Sequence, residues 1–111
     1  MSMDKRKLLD STVISAATDT ISARLRWIDH LAVQVNTSAV SSPVGVTVKL
    51  QASNDDTNWD DLAGTTNSIT GTGNVLINAA NVGYKYIRAS FALTSGTVTS
   101  EVIFTGKERN I

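Results

Sequence analysis

The run Val44-Gly45-Val46-Thr47-Val48-Lys49-Leu50-Gln51-Ala52 has the period of a β-strand. Val44, Val46, Val48, Leu50 and Ala52 share one parity, while Gly45, Thr47, Lys49 and Gln51 take the other, so one face is apolar and one is wet. Directly after it, Ser53-Asn54-Asp55-Asp56-Thr57-Asn58 gathers residues whose side chains bond their own backbone. Trp59 to Leu62 then resumes an apolar pattern, and the combination predicts a hairpin.

The same alternation recurs on both sides. Ile21, Ala23, Leu25 and Trp27 face one way and Ser22, Arg24 and Arg26 the other, which predicts a half-buried strand over residues 20–28. The pattern resumes at Leu31, Val33 and Val35 with Asp29 in phase, so a bulge or tight turn is expected at Asp29-His30. Residues 37–43 form a Ser/Thr-rich loop that ends in the only proline, Pro43. Toward the C-terminus, Gly71-Thr72-Gly73-Asn74 predicts a turn between a short strand near Ile69 and one over residues 75–78, and Asn81-Val82-Gly83 predicts another turn. Residues 84–93 follow as the longest strand, with Ile87, Ala89, Phe91 and Leu93 on one face. A turn at Thr94-Ser95-Gly96-Thr97 leads to a last strand, in which Val98, Val102 and Phe104 carry the apolar phase and Ser100 interrupts it.

About eight short strands without intervening helices point to an all-β fold, an antiparallel β-sandwich of jelly-roll character. Composition agrees: Ser and Thr supply nearly a quarter of the 111 residues, and Val is the commonest large apolar residue. One sandwich domain is expected over residues 11–111. Residues 1–10, with Asp4-Lys5-Arg6-Lys7 and only Leu8-Leu9 as an apolar stretch, are expected to form a flexible or short helical N-terminal arm, and no signal peptide or membrane span is expected.

Several function classes lose support from the same counts. There is no cysteine, so there is no disulfide framework, thiolate zinc site or cysteine nucleophile. Ten Lys and Arg balance ten Asp and Glu, which argues against nucleic acid or a membrane surface as the partner, and a net charge near zero favours self-association. His30 is the only histidine; its neighbour Asp29 is expected on the opposite strand face, so no Ser-His-Asp set is expected. Asp56, Asn58 and Asp60 imitate the start of a calcium loop, but Asp61 stands where glycine is required and Asn67 where a bidentate glutamate belongs. A solvated hairpin turn is the expected reading, with no metal, no cofactor and no catalytic residue.

At the level of motifs, Val48-Lys49-Leu50-Gln51-Ala52-Ser53-Asn54-Asp55 with Trp59 and Leu62 resembles the strand-turn-strand of small β-sandwich structural proteins of tailed bacteriophages. Gly83-Tyr84-Lys85-Tyr86-Ile87-Arg88, Thr94-Ser95-Gly96-Thr97 and Thr105-Gly106-Lys107 are similar to that family's closing strands, and Asp19-Thr20 with Val33-Gln34-Val35 to its front half. The turn departs from the family by placing Asp56 where glycine is usual; Asp tolerates left-handed geometry better than most residues. The resemblance implies a non-enzymatic virion part, a capsid decoration or tail-associated protein made in the host cytoplasm, whose partners are copies of itself, a trimer by expectation, and major capsid or tail proteins. The Ser-Asn-Asp turn with Trp and the late Tyr-Ile-Arg strand also resemble discoidin-like carbohydrate-binding modules, which implies host surface glycans as an alternative ligand.

Two sets of candidate residues follow. Lys5, Arg6 and Lys7 on the arm and Arg24, Arg26 and Arg88 on strand faces are candidates for a subunit interface, where arginine is enriched. Trp59, Tyr84 and Tyr86 are the candidates for glycan stacking, with Trp59 also expected to lid one end of the sandwich. Trp27 and Phe91 keep the apolar parity and are expected in the core.

Overall fold

Two long strands organise the molecule. The computed structural model describes residues 3–25, 28–80 and 83–108, and its strands are β1 (Met3–Ile14), β2 (Thr18–Asp19), β3 (Ala23–Arg24), β4 (Ile28–Ser53), β5 (Asp60–Asp61), β6 (Asn67–Ile69), β7 (Gly73–Ala80) and β8 (Tyr86–Glu108). No helix of the described residues is long and apolar enough to cross a membrane. β4 and β8 pair antiparallel along nearly their whole lengths, from Ile28 opposite Glu108 to Ser53 opposite Tyr86.

A straight strand of 26 residues would run for about 85 Å at about 3.3 Å per residue. The longest dimension of the molecule is 48 Å, so the β4–β8 ribbon folds over. Its register breaks between Thr37 and Ala39, between Ser41 and Gly45, and between Gly45 and Val46. Each extra residue flips the faces that follow it, which is how a strand turns a corner while keeping apolar residues inside. The buried set accordingly changes parity, from Leu31, Val33, Val35 and Thr37 to Val46, Val48, Leu50 and Ala52 on β4, and from Ile87, Ala89 and Phe91 to Val98, Ser100, Val102 and Phe104 on β8.

Glycine makes the corner possible. A Cβ on Gly45 would collide with the Thr94 and Ser95 hydroxyls, and the Thr94 hydroxyl donates to the Gly45 carbonyl at 3.1 Å. Across from it, Gly96 takes a φ of 74°, a left-handed conformation that glycine adopts without strain.

The folded ribbon seeds both layers. In the first, β1 and β7 flank the segments 98–107 of β8 and 30–37 of β4; in the second, β2 and β3 pair with the start of β8 while β5 and β6 pair with the end of β4. The inner faces share a single apolar cluster that runs from Leu8 and Ile14 through Val33, Val48 and Leu50 to Phe91 and Phe104. This is the antiparallel β-sandwich that the alternation predicts, and Phe91 lies in its core as expected.

Several local expectations are corrected. The N-terminal segment is neither helical nor an arm: β1 pairs with β8 from Met3 opposite Lys107 to Ile14 opposite Val98, and Leu8 is buried. The Lys and Arg run resembles an arm because β1 is an edge strand, where charge is tolerated on the open side. The strands are not all short, since the Ser/Thr loop and the turn at residues 94–97 are corners within β4 and β8 rather than reversals. Of residues 20–25 only Ala23 and Arg24 are strand residues, flanked by the Thr20 and Leu25 amides that donate to the Ala89 and Lys85 carbonyls at 2.9 and 2.7 Å, and Ile21 is 67% exposed despite its apolar parity. The strands around the Gly71-Thr72-Gly73-Asn74 turn, β6 and β7, do not pair with each other; each pairs with β4, in different layers. The 53–58 hairpin forms, with Gln51 opposite Asp61, and the bulge at Asp29 is present as a register break between Ile28 and His30. Arg26, Trp27, Asn81 and Val82 lie outside the described residues.

Candidate functional site

The outer face of the second layer carries the densest polar arrangement. Alternation along β4 and β8 points Lys49, Gln51, Tyr86 and Arg88 outward, and the register sets Gln51 opposite Arg88. Arg88 Nε donates to Gln51 Oε1 at 2.9 Å, and Gln51 Nε2 donates to Asp61 Oδ1 at 2.9 Å. Lys49 Nζ donates to Asp61 Oδ2 at 2.9 Å, and an Arg88 terminal nitrogen lies 3.4 Å from Asp19 Oδ2. The guanidinium of Arg88 also lies 4.3 Å from the centroid of the Trp59 ring. Hydrogen bonds from Gln51 and Lys49 hold the Asp61 carboxyl below its ordinary pKa.

Arg88 is therefore consumed within the chain, between an acid, an amide and an indole. Its planar fork suits that position: the edge hydrogen-bonds while the face stacks, which an ammonium cannot do. Trp59 is half-buried over this outer face instead of lidding the end of the sandwich, and one face of its ring is occupied by Arg88.

Beside it, the 53–58 turn and Tyr84 line an open cleft of about 310 Å³. Asp55 organises the turn by accepting from the Asn58 amide at 2.8 Å, the Asn58 side chain at 2.7 Å, the Thr57 amide at 2.9 Å and the Ser53 hydroxyl at 2.8 Å. Those donors, the Asn58 amide above all, hold its carboxyl well below the usual carboxylate range. Asp56 follows at φ 61°, the left-handed geometry expected of the residue that stands in for glycine. The turn is tied to the start of β8 where the Lys85 amide donates to Asn54 Oδ1 at 3.1 Å and to the Ser53 carbonyl at 3.2 Å. Tyr84 is half-buried, which raises its phenol pKa, and Tyr86 sits opposite both Arg24 and Ser53.

The basic candidates do not form one patch among the described residues: Arg6 and Arg24 meet, while Lys5, Lys7 and Arg88 lie on other faces, and Arg26 is outside the described residues. Lys5 and Lys7 lie on the outer face of the first layer, and Lys7 Nζ is 3.4 Å from Glu101 and 3.6 Å from Asp10. Hydrogen bonds from Asn36 and Lys7, that from Asn36 being the larger, keep the Glu101 carboxyl low. Arg6 faces the other way, toward the second layer, and a terminal nitrogen of its guanidinium donates to the Arg24 carbonyl at 3.4 Å. His30 lies 3.6 Å from Asp29, a closeness that regular alternation forbids and the bulge at Asp29 allows. No hydroxyl hydrogen-bonds His30 among the described residues.

Sequence reasoning found Arg88 and Trp59 but not their partners. Asp19, Lys49, Gln51 and Asp61 come from distant parts of the chain, and only the register of β4 against β8 and β5 makes them neighbours. Parity alone places Gln51 and Arg88 on wet faces; nothing local says that they are opposite each other.

No protein-family model matches this sequence, and no curated protein matches it. Solved structures are similar to it. The SPBc2 prophage-derived protein YomS has a TM-score of 0.62 and 14% sequence identity, covering 95% of this chain and 96% of that one. A chain of infectious bursal disease virus, Gx strain, has a TM-score of 0.59 and 10% identity over 96% of this chain, which spans only 32% of the viral one. The Gt strain gives a TM-score of 0.54 at 11% identity. At such identities the likeness is one of fold.

Proposed function

We propose that this chain is a non-catalytic structural component of a tailed-phage virion, a capsid decoration or tail-associated protein, that works by self-association and by binding a virion lattice. The observation that carries this reading is the end-to-end correspondence with a prophage-derived protein, in which each chain covers nearly all of the other. The similar sandwich within a viral chain supports it. So does the chemistry: Lys49 and Arg88 on the outer face are paired with Asp61 and Asp19, and the Asp55 carboxylate of the turn is held by Ser53, Thr57 and Asn58. The carbohydrate reading would place a sugar on Trp59, whose ring already carries Arg88 on one side.

The test is mass spectrometry and immunogold labelling of particles purified by density from the host that encodes the chain. The chain is expected in the particles at a fixed, repeated copy number. Finding it abundant in the lysate and absent from particles overturns the reading.

A further inference from the structure

The edges of a sandwich differ in how they are guarded, and one stands out. β1 carries Lys5, Arg6, Lys7 and Asp10 and has register breaks after Lys7 and after Leu9, devices that discourage pairing with another chain. β5 and β6 are only 2 and 3 residues long. β7, Gly73-Asn74-Val75-Leu76-Ile77-Asn78-Ala79-Ala80, has no charge, no proline and no bulge. It pairs in unbroken register with β4, from Thr37 opposite Gly73 to His30 opposite Ala80, and with no other strand among the described residues. Leu76, at its middle, is 60% exposed.

The sequence of β7 is also complementary to itself. In antiparallel pairing, residues directly opposite share a face. A two-fold axis through Leu76 and normal to the sheet sets Leu76 against Leu76, and Asn74 against Asn78 on either side of it. Outside, an apolar contact is thus flanked by two amide pairs that can hydrogen-bond. Toward the core, Val75 meets Ile77. All these pairs are compatible, and none opposes like charges.

We infer that β7 is the self-association edge, joining a second copy of this chain antiparallel about Leu76 so that the first layers of two sandwiches become one continuous sheet. The inference rests on the proposed reading of the chain as self-associating and names the surface that does it. The contact is isologous and closes on itself, whereas β7 against β1 of another copy is head-to-tail, building a ring or an open filament, and sets an uncharged edge against a charged, bulged one. The elementary unit is then a dimer in place of the expected trimer, and its attachment is insensitive to salt because the edge has no charges.

Light scattering during size exclusion, at low and high salt, compares the parent with Leu76→Lys, and circular dichroism verifies that each is folded. The parent is expected at twice its 11.8 kDa chain mass at both salts, and the variant at 11.8 kDa with an unchanged spectrum. Because the chain has no cysteine, Leu76→Cys is a second, independent probe. It is expected to form a disulfide-linked dimer under mild oxidation, while Asn74→Cys, whose partner is Asn78, does not. A parent that associates while Leu76→Lys associates equally, or an Asn74→Cys that crosslinks as well as Leu76→Cys, overturns the β7 assignment and leaves self-association standing. A parent that is monomeric both free and on particles overturns both.

Discussion

Thr37 and Ser100 lie directly opposite each other on β4 and β8, and their hydroxyls meet at 2.8 Å inside the apolar core. Ser100 is fully buried and Thr37 nearly so, and each hydroxyl partners the other. Both lie next to the corner of the ribbon, where the faces change parity.

Removing one hydroxyl leaves the other unpaired. Ser100→Ala is expected to cost about 1–3 kcal/mol, the penalty of a stranded buried polar group. Thr37→Val combined with Ser100→Ala is expected to recover much of that loss, because the pair is replaced by apolar groups of similar shape. Denaturant melts of the two single variants and the double variant measure the coupling; additive losses would show that the hydroxyls do not depend on each other.

Trp59→Ala is expected to destabilise by about 1–2 kcal/mol, the sum of a solvent-facing cation–π contact and a half-buried ring. A fully buried aromatic would cost about 3–5 kcal/mol. Arg88→Ala is expected to cost a similar amount, and the double variant less than the sum. A loss in the larger range, with no coupling to Arg88, would return Trp59 to the core.

The acidic turn makes stability depend on pH. Asp55 has its folded pKa depressed, so its hydrogen bonds contribute fully above the unfolded carboxylate range near 4, and the contribution is lost as the pH falls through the folded value below it. Asp61 and Glu101 act in the same direction. Asp55→Asn is expected to lower the melting temperature at neutral pH and to flatten its decline in acid, the two proteins converging at the lowest pH. Melting curves that stay parallel from neutral to strongly acidic solution would remove Asp55 from the account.

Asp56 tests the backbone of the same turn. At φ 61° a residue with a Cβ is strained by roughly 1–2 kcal/mol, least for Asn and Asp. Asp56→Gly is expected to be neutral or slightly stabilising, and Asp56→Val to cost about 1–2 kcal/mol. Thermal melts rank the three, and a stable Val variant would mean that the turn adopts another conformation.

The strands over residues 44–53 and 86–93 were legible in the sequence because one apolar face alternates with one wet face. The hairpin at 53–58 was legible because Ser53, Asp55 and Asn58 have few other roles. The corners were not. Ser, Thr and Gly at residues 37–45 and 94–97 serve a loop and a bulged strand equally well, and only the pairing partner distinguishes them. β1 was hidden by its charge: Lys5, Arg6 and Lys7 suit an open edge as well as they suit an arm, and Leu8 alone hints at burial. The Arg88 network was half legible, since parity exposes its members while register, a property of the folded sheet, assembles them.

The hidden strand gives the sharpest reversal. An arm outside the sheet could be deleted with little effect on the isolated domain. As β1, residues 3–9 pair with β8 and place Leu8, 3% exposed, against the core beside Phe104 and Val102. Deleting residues 1–10 removes that side chain, worth about 1.5–3 kcal/mol of burial, and uncovers the β8 edge along the ladder it loses. For a domain whose total stability is about 5–15 kcal/mol, the deletion is expected to lower the melting temperature by at least about 10 °C or to prevent folding. Lys5→Ala with Lys7→Ala, which leaves the backbone ladder in place and removes only surface charges, is expected to change stability by less than about 1 kcal/mol. Scanning calorimetry of the two variants beside the parent separates the roles: equal melting temperatures for all three would make the segment an arm after all, whereas a loss confined to the deletion makes it the fourth strand of the first layer.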